Sequence, residues 1–242
     1  MKNMKTRILT IFILLGLSLG YATAQTNTKK DTIIPPHGKR VILGLMVGSG
    51  ADWITPRNEK FTANGGYANL SYGIPVDINF TTGQYYYFST GVMFHHLGGK
   101  LKFNLAEPAS PTGLVETKRL YRSIYLTIPT GIKLKTPQFK NFVFGVNFGL
   151  YHSFLLSAKS YDKYSIGNTD IKKTNSPYVN QMAIFREAGY LGIGGEYIIK
   201  GEFRVFMYVN YAYSFTNFFS RNNILKEKGN VNSVEVIAGF SF

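Results

Sequence analysis

Six charged residues fall at inward-phase positions of segments that alternate apolar and polar: Asp77, Lys133, Lys135, Glu196, Arg204 and Glu235. Collected on one face of a closed sheet, three cations and three carboxylates could form an ion-pair network lining a narrow ion or proton path. The same residues could simply fill the interior. The bore of a small barrel is only as wide as its own side chains, and charges held there must be paired or hydrated. Structural filling is the expectation.

A second constellation is His95 and His96 with Ser123. A histidine beside a serine invites acyl transfer, as in barrels that trim lipopolysaccharide. The pattern supplies no orienting acid and no strained nucleophile turn, so a solvated histidine at the rim of a strand is expected. Adjacent strand residues point to opposite faces, so His95 and His96 cannot chelate one metal ion together. Gly98-Gly99 and Gly192-x-Gly194-Gly195 look like phosphate cradles, but no helix pattern follows either, and that mechanism needs one. No catalytic, cofactor-binding or metal-binding residue is expected, and no cofactor.

The elements that must position these residues read as strands. From Leu70 to Phe80, Leu70, Tyr72, Ile74, Val76, Ile78 and Phe80 alternate with Ser71, Gly73, Pro75, Asp77 and Asn79. Period two over ten residues marks a two-faced strand. Seven further segments repeat the pattern, beginning near Val41, Tyr86, Ile124, Asn141, Glu187, Arg204 and Val231. Leu, Ile, Val, Phe and Tyr fill one phase. The other carries glycine and polar residues, with Tyr87, Met93, Tyr125, Tyr151 and Tyr208 as bulk.

Short connectors at 82–84, 136–140 and 200–202 alternate with long ones at about 50–66, 98–118, 159–186 and 217–230. Tight turns on one side and long loops on the other are what an up-and-down barrel standing in a membrane produces. The predicted fold is all-β: an eight-stranded antiparallel up-and-down transmembrane β-barrel over 39–242, with short periplasmic turns, long outer loops and both termini periplasmic. Lys2, Lys5 and Arg7, the apolar run Ile8–Leu19, and Ala22-Thr23-Ala24 form a cleavable signal peptide over 1–24. Residues 25–38 then make a short periplasmic segment. The run is too short to span a bilayer as a helix, which takes ~20 apolar residues.

The chain has no cysteine, which removes lipid attachment at an N-terminal Cys, disulfides and thiolate metal sites. Its formal charge is +14, three of it in the signal peptide. The Lys and Arg do not cluster as in a nucleic-acid binder, and export argues against that partner. They favour the outer loops. Lys100, Lys102, Lys118 and Arg119 outweigh Glu107 and Glu116; Lys159, Lys163, Lys172, Lys173 and Arg186 outweigh Asp162, Asp170 and Glu187; Arg221, Lys226 and Lys228 outweigh Glu227. Such loops could meet lipid A phosphates or an acidic partner, since membrane surfaces rich in anionic groups attract basic segments.

Four stretches carry a resemblance: Tyr125-Leu126-Thr127-Ile128-Pro129-Thr130-Gly131-Ile132-Lys133, the run from Phe185 to Glu196, Asn210-Tyr211-Ala212-Tyr213-Ser214, and the closing Ile237-Ala238-Gly239-Phe240-Ser241-Phe242. Together they resemble the PorT-like outer-membrane β-barrel family of Bacteroidota, with Thr127 where that family commonly has an acid. The resemblance implies an outer-membrane barrel without a catalytic motif, and for some members an accessory place in type IX secretion. The expected function is a non-enzymatic integral outer-membrane protein with a structural or docking role through its basic outer loops. The alternatives are an accessory of type IX secretion and a lipid A-modifying enzyme. Expected partners are outer-membrane lipid and lipopolysaccharide, the barrel assembly machinery during insertion, and a secretion-system or envelope protein.

Overall fold

A computed structural model describes residues 40–81, 83, 85–106, 113–166, 169–175, 177–200 and 203–242. The expected signal peptide and the segment 25–38 lie outside the described residues. Among the described residues there are ten strands: β1 (Val41–Pro56), β2 (Thr62–Ala63), β3 (Tyr67–Asn79), β4 (Tyr86–Ala106), β5 (Leu114–Lys135), β6 (Phe142–Ile166), β7 (Thr169–Asn175), β8 (Phe185–Lys200), β9 (Phe203–Ser214) and β10 (Gly229–Ser241). A 3-10 turn, Val179–Gln181, precedes β8.

Eight of these strands close a ring in the order β1-β3-β4-β5-β6-β8-β9-β10, every pair antiparallel. The seam between β10 and β1 runs from Gly44 opposite Ser241 to Pro56 opposite Gly229. Closure matters because an unpaired strand edge in hydrocarbon costs several kcal/mol per backbone group. β2 lies on the end of β4 and β7 on the end of β6, so both sit outside the ring.

The period-two pattern sorts the side chains as the residue types dictate. Leu43, Leu45 and Val47 of β1 and Val205, Met207 and Val209 of β9 are exposed on the outer wall. Between them Ile42, Phe206 and Tyr208 are buried inside. Aromatic residues mark two levels of that wall. Phe142–Tyr197 and Phe203–Phe240 pair near the short-turn end, and Trp53 stacks on Tyr211 towards the long-loop end. Val41 and Trp53 stand on one strand roughly 25–30 Å apart in height, allowing for tilt. That is the span of an apolar belt between two aromatic girdles.

The β4–β5 ladder is interrupted once. Its register passes from Ser89 opposite Gly131 to Met93 opposite Thr127. Pro129 sits in the gap and has no N–H to give. Gly91, at φ +145, lies across from Pro75 on the other side. A side chain there would come within 2.3 Å of the Ile74 carbonyl oxygen, so glycine is required by both conformation and space.

The connectors at 98–118 and 159–186 differ from the expectation of long loops. β4 and β5 continue in register to Ala106 and Leu114, and β6 runs to Ile166 and folds back as β7. The alternation never stops: Leu101 and Phe103 stay buried while Lys100 stays exposed and Lys102 half-exposed. What changes is the outward residue, from apolar to charged. The end of the belt thus imitates the end of the strand. A register shift between Ile124 and Tyr125, opposite β6, keeps Ala158, Ser160 and Asp162 inward beyond it.

Candidate functional site

The bore is filled in layers. Nearest the short turns, five of the six charged residues expected inside the barrel lie together. The Lys133 ammonium is 2.5 Å from Asp77 and 5.2 Å from the centre of the Tyr208 ring. Lys135 stands 2.7 Å from Glu196, 3.9 Å from Asp77 and 4.2 Å from the Tyr87 ring centre. Arg204 donates to Glu196 at 3.1 Å, and Ser89 donates to Asp77 at 2.7 Å. The five residues come from four strands, β3, β5, β8 and β9, brought together by inward phase alone. The arrangement is a lattice of three cations and two carboxylates with aromatic faces over the lysines, and it spans the bore rather than lining it.

Glu235, the sixth, lies apart. It accepts a hydrogen bond from Ser71, and its carboxylate is 4.0 Å from His95 Nε2. His95 departs from the expectation of a solvated rim residue. It is fully buried, its ring edge-on to Tyr151 at 6.2 Å, because β4 runs eleven residues beyond it. Ser123 donates to the Leu97 carbonyl oxygen at 3.0 Å, and the cross-strand neighbour of His95 is Tyr125. The histidine–serine pair therefore does not assemble. His96 faces outward beside Tyr72.

At this level of the bore, two inward charges were not singled out as such in the sequence. Asp52 accepts from Asn69 at 2.6 Å and from the Gly98 amide at 3.0 Å. Arg186, counted with the outer loops, is wholly buried in β8 and donates to the Val231 carbonyl oxygen at 3.2 Å. A cavity of about 60 Å³ lies between this level and the ion-pair lattice, with room for a few waters.

The long-loop end is closed by a plug. Tyr178 and Met182, flanking the 3-10 turn, and Phe218 and Phe219 pack into one apolar cluster with Ile54, Leu101, Tyr121 and Tyr125. Met182 bridges Phe219, and the Ala183 amide donates to the Phe218 carbonyl oxygen at 3.0 Å. At its centre is Arg119. It holds Asp162 in a two-pronged contact, with one prong at 2.7 Å, and donates to Tyr178 at 2.9 Å and Glu227 at 3.3 Å. Tyr121 and Tyr178 both donate to Glu227. Burial pushes the Glu227 carboxyl above its usual range, against the pull of these donors. Burial and the neighbouring Glu227 carboxylate raise the Tyr178 phenol. Arg119, Asp162 and Glu227 carry loop-like sequence contexts, yet all three point inward. The signal that could have found Arg119 and Asp162 is the continuing alternation of β5 and β6; Glu227 has none.

On the outer wall, Glu187, His152 and Thr130 form an acid–imidazole–hydroxyl chain, with separations of 3.1 and 2.9 Å. The order is that of a charge relay. Thr130 lies roughly 20 Å below Arg122 along tilted β5, well within the apolar belt and far from the level of lipid esters. The chain satisfies three polar groups that face lipid; no strained nucleophile turn accompanies it among the described residues.

One comparison with known proteins, the family model, agrees with this geometry. The family model described as "Outer membrane protein beta-barrel domain" matches residues 24–220. Curated protein sequences give no match. Among solved structures, the chain is similar to Neisserial surface protein A at 11% identity, covering 84% of this chain and 96% of that one with a TM-score of 0.42. It is similar to the attachment invasion locus protein Ail of Yersinia pestis at 13% identity, covering 84% and 100%, TM-score 0.32. The outer membrane protease OmpT of Escherichia coli is similar at 9% identity, covering 84% and 94%, TM-score 0.40. Likenesses this distant carry no functional conclusion.

Proposed function

Since the chain belongs to the outer membrane protein beta-barrel domain family, we propose that it works as a closed, non-enzymatic barrel with periplasmic termini, acting structurally or as a docking element through its outer face. The observation that carries this reading is the double closure of the bore. The ion-pair lattice stands across one end and the Arg119 plug across the other, which supports a bore without a path for solute or current. An eight-stranded barrel has too little bore to spare once such side chains fill it. What remains available is the strand extension above the belt, with its ladder intact and its outward residues charged.

Reconstitution into planar bilayers tests the closure. The expected record is a flat baseline without steady steps. A stable large conductance would overturn the reading. Lipid A extracted from a deletion strain should keep its acylation pattern; a changed pattern would restore the lipid-modifying alternative.

A further inference from the structure

Above the belt, the outward faces of β4, β5, β6 and β7 carry lysines in direct register. Lys102 is opposite Lys118, Lys118 opposite Lys163, and Lys163 opposite Lys172. Like charges directly opposite one another destabilise a sheet, and here four stand in one row. Two have acidic neighbours: Lys102 is 2.6 Å from Glu116, and Lys163 is 3.1 Å from Asp170. Lys118 and Lys172 make no ion pair among the described residues.

A groove of about 420 Å³ lies along this row, with Leu120 and Tyr161 among its lining and Lys100, Lys118, Lys163 and Lys172 at its rim. Just below, Arg122 stands over the rings of Tyr67 and Tyr161, at 5.7 and 5.1 Å, with Lys159 as its cross-strand neighbour. Arg122 is the first charged outward residue on β5 above the apolar run of Ile124, Leu126 and Ile128. It marks the edge of the belt. The lysine row stands roughly 10 Å higher, four residues further along a tilted strand. Two tiers of cations at those heights, over a partly apolar groove, match a ligand that is lipid below and phosphorylated above.

We propose that this wing binds the phosphate-bearing inner region of outer-leaflet lipopolysaccharide. Arg122, Lys100 and Lys159 face the phosphates nearest the acyl chains, and the lysine row faces those of the sugar core. The bound anion also relieves the repulsion built into the row. The site rests on the proposed orientation, in which the long-loop end is outside. The lysines bind as point charges without fixed geometry, so phosphate should matter more than sugar identity.

The test uses the full mature barrel folded in phosphatidylcholine nanodiscs. The probes are purified lipopolysaccharide and the same material after phosphatase treatment. The triple variant K118Q/K163Q/K172Q should bind about a hundredfold more weakly, each cation near a membrane surface contributing about fivefold. A charge-matched control, R221Q/K226Q/K228Q, removes three cations from the opposite loop and should stay within about threefold, because bulk charge is screened over ~8 Å at physiological salt. K118R/K163R/K172R should retain binding. Heat-modifiable migration verifies folding of each variant. Equal loss in the control, no loss in the triple variant, or full binding of the dephosphorylated probe would each overturn the site. So would competition by a polyglutamate chain as strong as that by lipopolysaccharide, which would mark an acidic-protein surface instead. Conductance recorded on the same preparations separates the two readings. A conducting barrel that still binds through the row refutes the closed bore and leaves the glycolipid site standing.

Discussion

The two charge clusters that close the bore are made of different material. The lattice of Asp77, Lys133, Lys135, Glu196 and Arg204 draws every member from β3, β5, β8 and β9, each held on both sides by a ladder. The mouth cluster joins Arg119 and Asp162, on strand extensions, to Tyr178 and Glu227, which lie outside any strand. A charge in the first cluster can escape its partners only if the barrel opens. A charge in the second can leave with its loop. The first should therefore register in global stability and the second in local opening.

The largest effect is expected for Asp77→Asn. It leaves Lys133 and Lys135 with Glu196 as the remaining carboxylate, shared with Arg204. Breaking a buried pair by removing one partner costs ~3–5 kcal/mol, because the other charge stays buried and uncompensated. Urea unfolding of vesicle-inserted protein measures it. A loss below about 1 kcal/mol would mean that the lattice is hydrated like a surface, and the contrast with the mouth would vanish.

Arg119→Met should act on a smaller unit. Asp162 keeps Asn175, at 3.0 Å, and Glu227 keeps the two tyrosines. The loop 215–228 and the turn before β8 should open far more often, while global stability falls by only about 1–2 kcal/mol, since local opening caps the loss. Proteolysis within 217–228 should quicken with heat-modifiable migration unchanged. If urea unfolding instead shows a loss as large as that of Asp77→Asn, plug and barrel fold as one unit and the comparison fails.

The same contrast explains what could be read from the chain. The lattice was legible because strand phase is local: each of its members sits at an inward position of a segment whose period is visible by itself. Glu235 obeyed the same phase, yet lies elsewhere in the bore, because period two assigns a face and not a height. His95 was misplaced at a rim for a related reason. The strand did not end where its outward residues turned polar; the apolar belt did. Net charge summed by segment then put Arg119, Arg186, Asp162 and Glu227 on a surface that none of them occupies. It also hid the lysine row, which exists only through register between strands. The plug depends on Phe218 and Phe219 meeting Met182 across more than thirty residues of chain, and no local periodicity encodes that meeting.

The smallest expected effect sharpens the comparison by separating charge from packing at the mouth. Glu227 has a carboxyl pushed up from its ordinary 4.5, first by burial. The closed mouth therefore holds this proton more tightly than the open loop does. Below the ordinary value both states are protonated, and the carboxyl favours neither. As pH rises through 4.5 and then through the raised value, the open loop ionises first, and closure loses stability over that interval. Arg119 keeps its charge throughout, its pKa raised by the Asp162 hydrogen bond in spite of burial, and the Tyr178 phenol titrates higher still than usual. The slope thus belongs to Glu227. Hydrogen exchange at the Ala183 and Phe218 amides, corrected for intrinsic rates, should show protection that declines as the pH rises above 4.5. Glu227→Gln, neutral at every pH and still able to accept from Tyr121 and Tyr178, should flatten that decline. A mouth held by aromatic packing alone would show no slope in either protein. Protection that instead rises with pH would mean the ionised carboxylate is the better partner for Arg119, and the mouth would then resemble the lattice it is contrasted with.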